Sequence, residues 1–268
     1  MKTPTAIGLL VLSLVILSVA SCAQDENPPA PGFNEEDSDA RAIELADAVM
    51  RAMGGRDAWD QTRYLTWNFF GVRRHVWDKH TGDLRVDWAD RETGAAYVVL
   101  MNLDSGEGSV YEDGREITDE EVIQARLDFA RTAWINDSYW IFMPYKLKDT
   151  GVTLTHIGTR DTAAGESAEV VQLTFEGVGE TPENKYHVYI DPDSKLVVQW
   201  DFFARYDDQS PALSTPWTNW EQYARIMLSD DRGNGRRHSE VAVADEIDRS
   251  VFADPAPIEI AELFGPQR

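Results

Sequence analysis

Cysteine is almost missing from this chain of 268 residues, with Cys22 the only one. No disulfide can form within the chain, so the fold rests on its core alone. Lysine is scarce too: there are six, and Lys and Arg together number 25 against 47 Asp and Glu, a formal net charge of −22. A field of that sign opposes binding to nucleic acid or to a bare anionic lipid surface. After the first two dozen residues no apolar run approaches the ~20 residues of a spanning helix. Gly-x-Ser-x-Gly, His-Glu-x-x-His and phosphate-binding glycine loops do not occur, which removes the strongest local signatures of serine hydrolases, zinc proteases and nucleotide-binding proteins. What is plentiful is apolar and aromatic: 43% hydrophobic and 10% aromatic residues, with nine tryptophans, enough for a substantial core. An acidic, lysine-poor surface also suits a protein working in high salt, where screening over a few Å removes self-repulsion. A saline habitat is therefore one expectation, and an ordinary acidic exported protein is the other.

The N-terminus has three parts. Lys2 supplies a positive start, residues 6–17 are almost wholly apolar, and the small residues Ala20 and Ser21 precede Cys22. The apolar part is too short to span a bilayer and has the size of a signal-peptide core. The run Val19-Ala20-Ser21-Cys22 resembles the lipobox of bacterial lipoproteins. The resemblance implies that residues 1–21 are removed and that Cys22 becomes an acylated N-terminus, anchoring the chain to a membrane. Ala23 is not the aspartate that, by the enterobacterial rule, retains lipoproteins in the inner membrane, which points to the outer membrane, facing the periplasm. Residues 22–39 are polar, acidic and rich in proline (Pro28, Pro29, Pro31), and read as a flexible tether. Residues 40–268 then form one domain.

Within that domain a helix comes first. Ser38 is its expected N-cap, Ile43, Ala46, Val49, Met50 and Met53 recur at helical spacing, and Gly54-Gly55 ends it. From Arg63 the period changes to two. Leu65, Trp67 and Phe69, then Val72 and Val76, then Leu84, Val86 and Trp88 alternate with other residues, and 95–103 is apolar on both faces. Thr118 and Glu121 match a capping box, predicting a helix that Pro144 stops. Its second half is dense in Trp134, Tyr139, Trp140 and Phe142. Further strands are predicted near 152–157, 168–175, 186–190, 196–206, 217–227 and 238–243, with a short closing helix at 258–264. Consecutive strands on short turns pair antiparallel. The fold class is thus α+β: one long antiparallel sheet of roughly ten strands, which curls rather than staying flat, covered by the mid-chain helical segment 118–144.

The stretch Tyr186-His187-Val188-Tyr189-Ile190-Asp191-Pro192, followed by Leu196-Val197-Val198, resembles a strand–turn–strand of the LolA/LolB-like superfamily of lipoprotein carriers. So do the lipobox lead-in, the first helix ending in Gly-Gly and the aromatic helical insertion. The resemblance implies an incomplete β-barrel, or half-barrel, lidded by helices over an apolar cavity that holds acyl chains. The lipobox places this chain toward the anchored LolB-like members. No binding residue of the family matches here position by position.

Chemistry is sparse. His75, His80, His156, His187 and His238 do not group as metal ligands need to, and each is read as structural or solvent-facing. With 47 acidic residues, two carboxylates in proximity, as glycoside hydrolysis needs, carry little weight. Neither an enzyme nor a cofactor is expected. The aromatics are the better lead, because sites for apolar ligands are concave and poor in polar groups. The expected ligand-facing residues are Trp67, Phe69, Trp88, Trp134, Trp140, Phe142 and Trp200, lining a hollow for the acyl chain of a lipid or lipoprotein. A glycan-binding or glycan-processing lipoprotein is the alternative, with Asn136, Asp137 and Asn219 as sugar-facing polar groups, and an anchored scaffold is the third reading.

Overall fold

The computed structural model describes residues 27–177 and 183–266. The expected signal segment and the lipobox Cys22 lie outside the described residues. Helix α1 (Ala40–Ala52) buries Ala42, Leu45, Ala46, Val49 and Met50 on one face, the stripe that the sequence periodicity marked. It ends at Gly54, whose φ of +111° suits glycine, and where a Cβ would sit 2.4 Å from the Arg225 carbonyl oxygen. A short α2 (Arg56–Gln61) carries Trp59, which stacks on Tyr145 at 4.3 Å.

Strands β1 (Tyr64–Phe69), β2 (Arg73–Asp78), β3 (Asp83–Ala89), β4 (Ala96–Asn102), β5 (Gly108–Glu112) and β6 (Arg115–Glu116) form an antiparallel meander. The long α3 (Glu120–Phe142) and a 3₁₀ turn (Met143–Lys146) follow. Strands β7 (Val152–Asp161), β8 (Ser167–Phe175), β9 (Lys185–Ile190), β10 (Val197–Phe203) and β11 (Leu213–Pro216) make a second antiparallel sheet. A separate hairpin, β12 (Thr218–Tyr223) and β13 (Ile226–Asp231), precedes β14 (Ser239–Ala244), which returns to pair with β1. The first sheet therefore has seven strands in the order β14-β1-β2-β3-β4-β5-β6. Helix α4 (Ile260–Phe264) closes the described chain.

The fold is α+β, with curved antiparallel sheets that do not close into a barrel and one long helix. The expectation of one continuous sheet is corrected. Seven and five strands form two sheets and a hairpin stands apart, because the α3 crossover separates the two meanders. Among the described residues no helix is long and apolar enough to cross a membrane.

Two caps differ from expectation. Asp39, not Ser38, is the N-cap of α1; the Ser38 hydroxyl donates to the Asn34 carbonyl and accepts from Leu154 N–H. Asp119, not Thr118, caps α3, its carboxylate accepting from the N–H groups of Glu121 and Val122.

The expected tether is corrected over its described part. Residues 27–39 lie along β7 and the turn before it. Asn34 N–H donates to the Val152 carbonyl and Asp39 N–H to that of Leu154, while the Asp39 carboxylate accepts from His156 N–H. Phe33 packs on the main core. A polar, proline-rich composition does not reveal that an edge strand's free carbonyls will order the segment beside it.

Three cores result. The largest joins α1, β1, the second sheet, the hairpin and the end of α3. A second lies between β3–β5 and the first half of α3, through Leu127 and Ala130. A third, on the other face of the first sheet, holds Tyr64, Val76 and Ala242 beneath Val251 and Phe264. Buried Arg85 holds that last segment down by donating to the carbonyls of Asp254 and Ala256.

Candidate ligand-binding groove beneath the long helix

Helix α3 meets the second sheet along a groove of about 340 Å³. Trp134, Ile135, Ser138 and Tyr139 come from α3, spaced to share one face. Lys146, Asp149 and Thr150 come from the following turn, Val152 from β7, and Phe175 from the end of β8. Most of the wall is apolar. Polar groups stand at its rim, where Lys146 and Asp149 pair at 2.7 Å, each about a third exposed.

Behind the groove the rings run on into the main core. Tyr139 contacts Phe175, Tyr186 and Trp200 at centroid distances of 6.4, 5.4 and 5.8 Å. Trp200 continues to Trp140 at 4.9 Å and Trp217 at 5.7 Å. On the other side Trp134 meets Trp77 at 5.1 Å, Trp77 meets Phe142 at 6.1 Å, and Phe142 meets Trp67 edge-on at 5.1 Å. Along this lattice the Nε1 atoms of Trp67, Trp134, Trp200 and Trp217 and the hydroxyl of Tyr139 are buried without a hydrogen-bond partner. Each such donor costs about 1–3 kcal/mol. Trp67, Trp200 and Trp217 lie in the filled core, whereas Trp134 and Tyr139 line the groove, where an acceptor oxygen that shifted the covering side chains would relieve the cost. Burial holds the Tyr139 hydroxyl well above its ordinary value, so it remains a donor throughout the physiological range.

The helix is pinned where it passes over the rings. Asp137, on the α3 face toward the first sheet, accepts from Arg73 Nε and Nη2 at 2.7 and 2.8 Å, from His75 Nε2 at 2.8 Å and from Asn136 at 2.9 Å. Burial alone would raise its carboxyl, but the bonds from Arg73 and His75 outweigh that and hold it below its ordinary value. Burial in turn lowers His75, so the imidazole is neutral and Nε2 is the protonated nitrogen, leaving Nδ1 bare. Three residues on, the Trp140 carbonyl accepts from Arg232 Nε and Nη2 at 3.1 and 2.7 Å.

Of the seven expected ligand-facing residues, Trp134 is the one that lines this groove. Trp67, Phe142 and Trp200 are almost fully buried members of the main core, with Phe69 and Trp140 packed against it. Their surface is taken up by neighbouring rings, which corrects the picture of an open hollow lined by all seven. Trp88 lies apart in the second core, against Tyr97 at 5.1 Å and Phe129 at 5.0 Å. The groups that a sugar was expected to meet are already engaged. Asn136 and Asp137 belong to the Arg73 cluster, and Asn219 donates to Asp230 at 2.8 Å.

Sequence reasoning missed Ile135, Ser138, Lys146, Asp149, Thr150, Val152 and Phe175. The helical stripe through positions 134, 135, 138 and 139 was a usable signal. The wall from β7 and β8 was not, because it depends on pairing across the α3 crossover. The histidines each have a structural contact: His80 with the Asp60 carbonyl, His156 with Glu169, His187 with Gln172, and His238 with the Trp140 carbonyl. Among the described residues no three His, Cys, Asp or Glu converge as metal ligands.

No protein-family model matches the chain, and no curated protein matches it. Solved structures do. A DUF1329 family protein from Desulfovibrio piger is 14% identical over 79% of this chain and 96% of its own, with a TM-score of 0.40. A domain described as an outer membrane lipoprotein-sorting protein, from Vibrio parahaemolyticus, is 11% identical over 79% and 96%, with a TM-score of 0.38. A LolA superfamily protein from Nitrosomonas europaea is 10% identical over 78% and 96%, also at 0.38. At such scores the likeness is loose, and the functional reading rests on the groove itself.

Proposed function

We propose that this chain is a lipid-anchored lipoprotein of a bacterial envelope that binds one acyl chain of a lipid or lipoprotein in the groove beneath α3, as a carrier or receptor without catalysis. One observation carries the reading: an apolar groove whose back wall, at Trp134 and Tyr139, holds buried donors with no partner. An acyl chain has the matching chemistry, an apolar body with an ester or amide carbonyl that can only accept. A volume of about 340 Å³ is at the small end of ligand sites and suits a single chain. Non-catalytic action fits the Asp137–His75 pair, which is buried and already bonded to Arg73. Anchoring through acylated Cys22 and an outer-membrane location rest on the lipobox and on Ala23 after it.

Titration of the domain from Gln24 onward with a fluorescent fatty acid tests the reading. Tyr139→Phe keeps the ring and removes the donor, and should weaken binding about fivefold, the worth of roughly one hydrogen bond. Trp134→Ala should weaken it further. Saturable binding unchanged by both variants would place the ligand elsewhere and overturn the assignment.

A further inference from the structure

The segment that follows the proposed anchor runs along the rim of the groove. Asn27 donates to Asp47 at 2.7 Å, and Lys148 donates to the same carboxylate oxygen at 2.7 Å. Ala30 N–H donates to the Lys148 carbonyl, and Gly151 N–H to that of Gly32. The Thr150 hydroxyl donates to the Pro31 carbonyl at 2.8 Å. Gly32 has a φ of +86°, and a Cβ there would approach Thr150 Cγ2 to 3.1 Å, so the strap lies hard against the turn. Asp149 and Thr150 of that turn line the groove.

Only five peptide units separate Cys22 from Asn27, a span of at most about 18 Å. The far end of α3 is more distant. From Ser138 to Glu120 the helix rises about 27 Å. Charge bears on the lipid surface as well. In a chain of net charge −22, Lys146 stands at the rim paired with Asp149, while buried Lys148 pairs with Asp47 behind it. A net charge of −22 is repelled by anionic headgroups, so the lipid surface this chain can approach is a zwitterionic one.

We infer that the strap holds the anchor point at the rim, so that the mouth of the groove faces a zwitterionic lipid surface and exchanges its ligand directly with that bilayer. This inference rests on the lipid-anchored reading above.

With Cys22 acylated, a single introduced cysteine is the only thiol that a label can reach. The full lipidated chain is labelled with nitrobenzoxadiazole at Asp149→Cys or Lys146→Cys on the rim, or at Glu120→Cys at the far end of α3. Each is reconstituted into phosphatidylcholine vesicles containing doxyl-phosphatidylcholine as quencher. Quenching should be several-fold stronger at both rim positions than at position 120. Inserting about fifteen Gly/Ser residues between Glu26 and Asn27, a coil of roughly 20 Å, should bring the rim down to the level of position 120. Equal quenching at the two ends, stronger quenching at position 120, or rim quenching that survives the insertion would overturn the inference. Flotation with the vesicles and the acyl mass on the Cys22 peptide are read separately. A chain that neither floats nor carries that mass overturns the lipoprotein reading and this inference together.

Discussion

Asp137 accepts from Arg73 and His75 with its carboxylate fully buried, so removing it strands a cation. Asp137→Ala should cost about 3–5 kcal/mol in urea unfolding, and the double variant Arg73→Met/Asp137→Leu distinctly less, since an apolar pair of similar volume leaves no charge unpaired. Equal losses for the two would contradict this account of the cluster. Buried histidines set the pH response. Burial lowers His75, and with help from nearby cations takes His187 to about 4 and His238 to about 3. Each is neutral in the fold and binds a proton more readily when unfolded. Their contribution is complete above the ordinary histidine value of 6.5 and is lost as pH falls below it. Tm should drop from neutral pH down to about 5, and His238→Phe should flatten that slope; a flat wild-type profile would count against it. Asp78 adds a loss at stronger acid. Burial would raise it, but bonds from Arg63, Thr81 and the His80 N–H hold it at about 2, so its contribution fades between 3.8 and that value. None of these roles was legible in the sequence: Arg73 and Asp137 are 64 residues apart, and nothing local marks them as partners.

The long helix shows what an element's own sequence can and cannot tell. Its existence, its aromatic second half and its stop at Pro144 follow from local pattern, and its start was misplaced by one residue. Asp119→Ala should cost about 1 kcal/mol, because it removes the acceptor for two N–H groups of the first turn, while Thr118→Ala should cost far less. The strands were readable in the same way: the alternation through Leu65, Trp67, Leu84 and Val86 marks β1 and β3, and Asp191-Pro192 marks the turn between β9 and β10. Strand partners were not readable. Leu65 pairs with Val243 across the whole domain, and the division into two sheets depends on where α3 crosses. The same non-locality hid the groove, whose helical wall was visible as a stripe while Val152 and Phe175 arrive from strands. Core and groove residues should separate by variant. Trp67→Ala should lose about 3–5 kcal/mol of stability, and Trp134→Ala, partly exposed on the groove wall, less stability but more lipid uptake.

At the scale of the whole molecule, charge and apolar content act on different properties. A net charge of −22 strains the compact state by self-repulsion, which salt screens over a few Å at molar concentration. Tm should rise from low to molar NaCl if the surface is adapted to high salt; a fall would remove that expectation. On the proposed reading the same charge favours a zwitterionic over an anionic lipid surface, and anchor, strap and groove would form one arrangement. Its central claim is that the groove holds an acyl chain. Native mass spectrometry of the delipidated domain after exposure to membrane extract tests that most directly. The account predicts one lipid-sized adduct per chain, lost in Trp134→Ala; a folded wild-type domain that emerges with no adduct would contradict it.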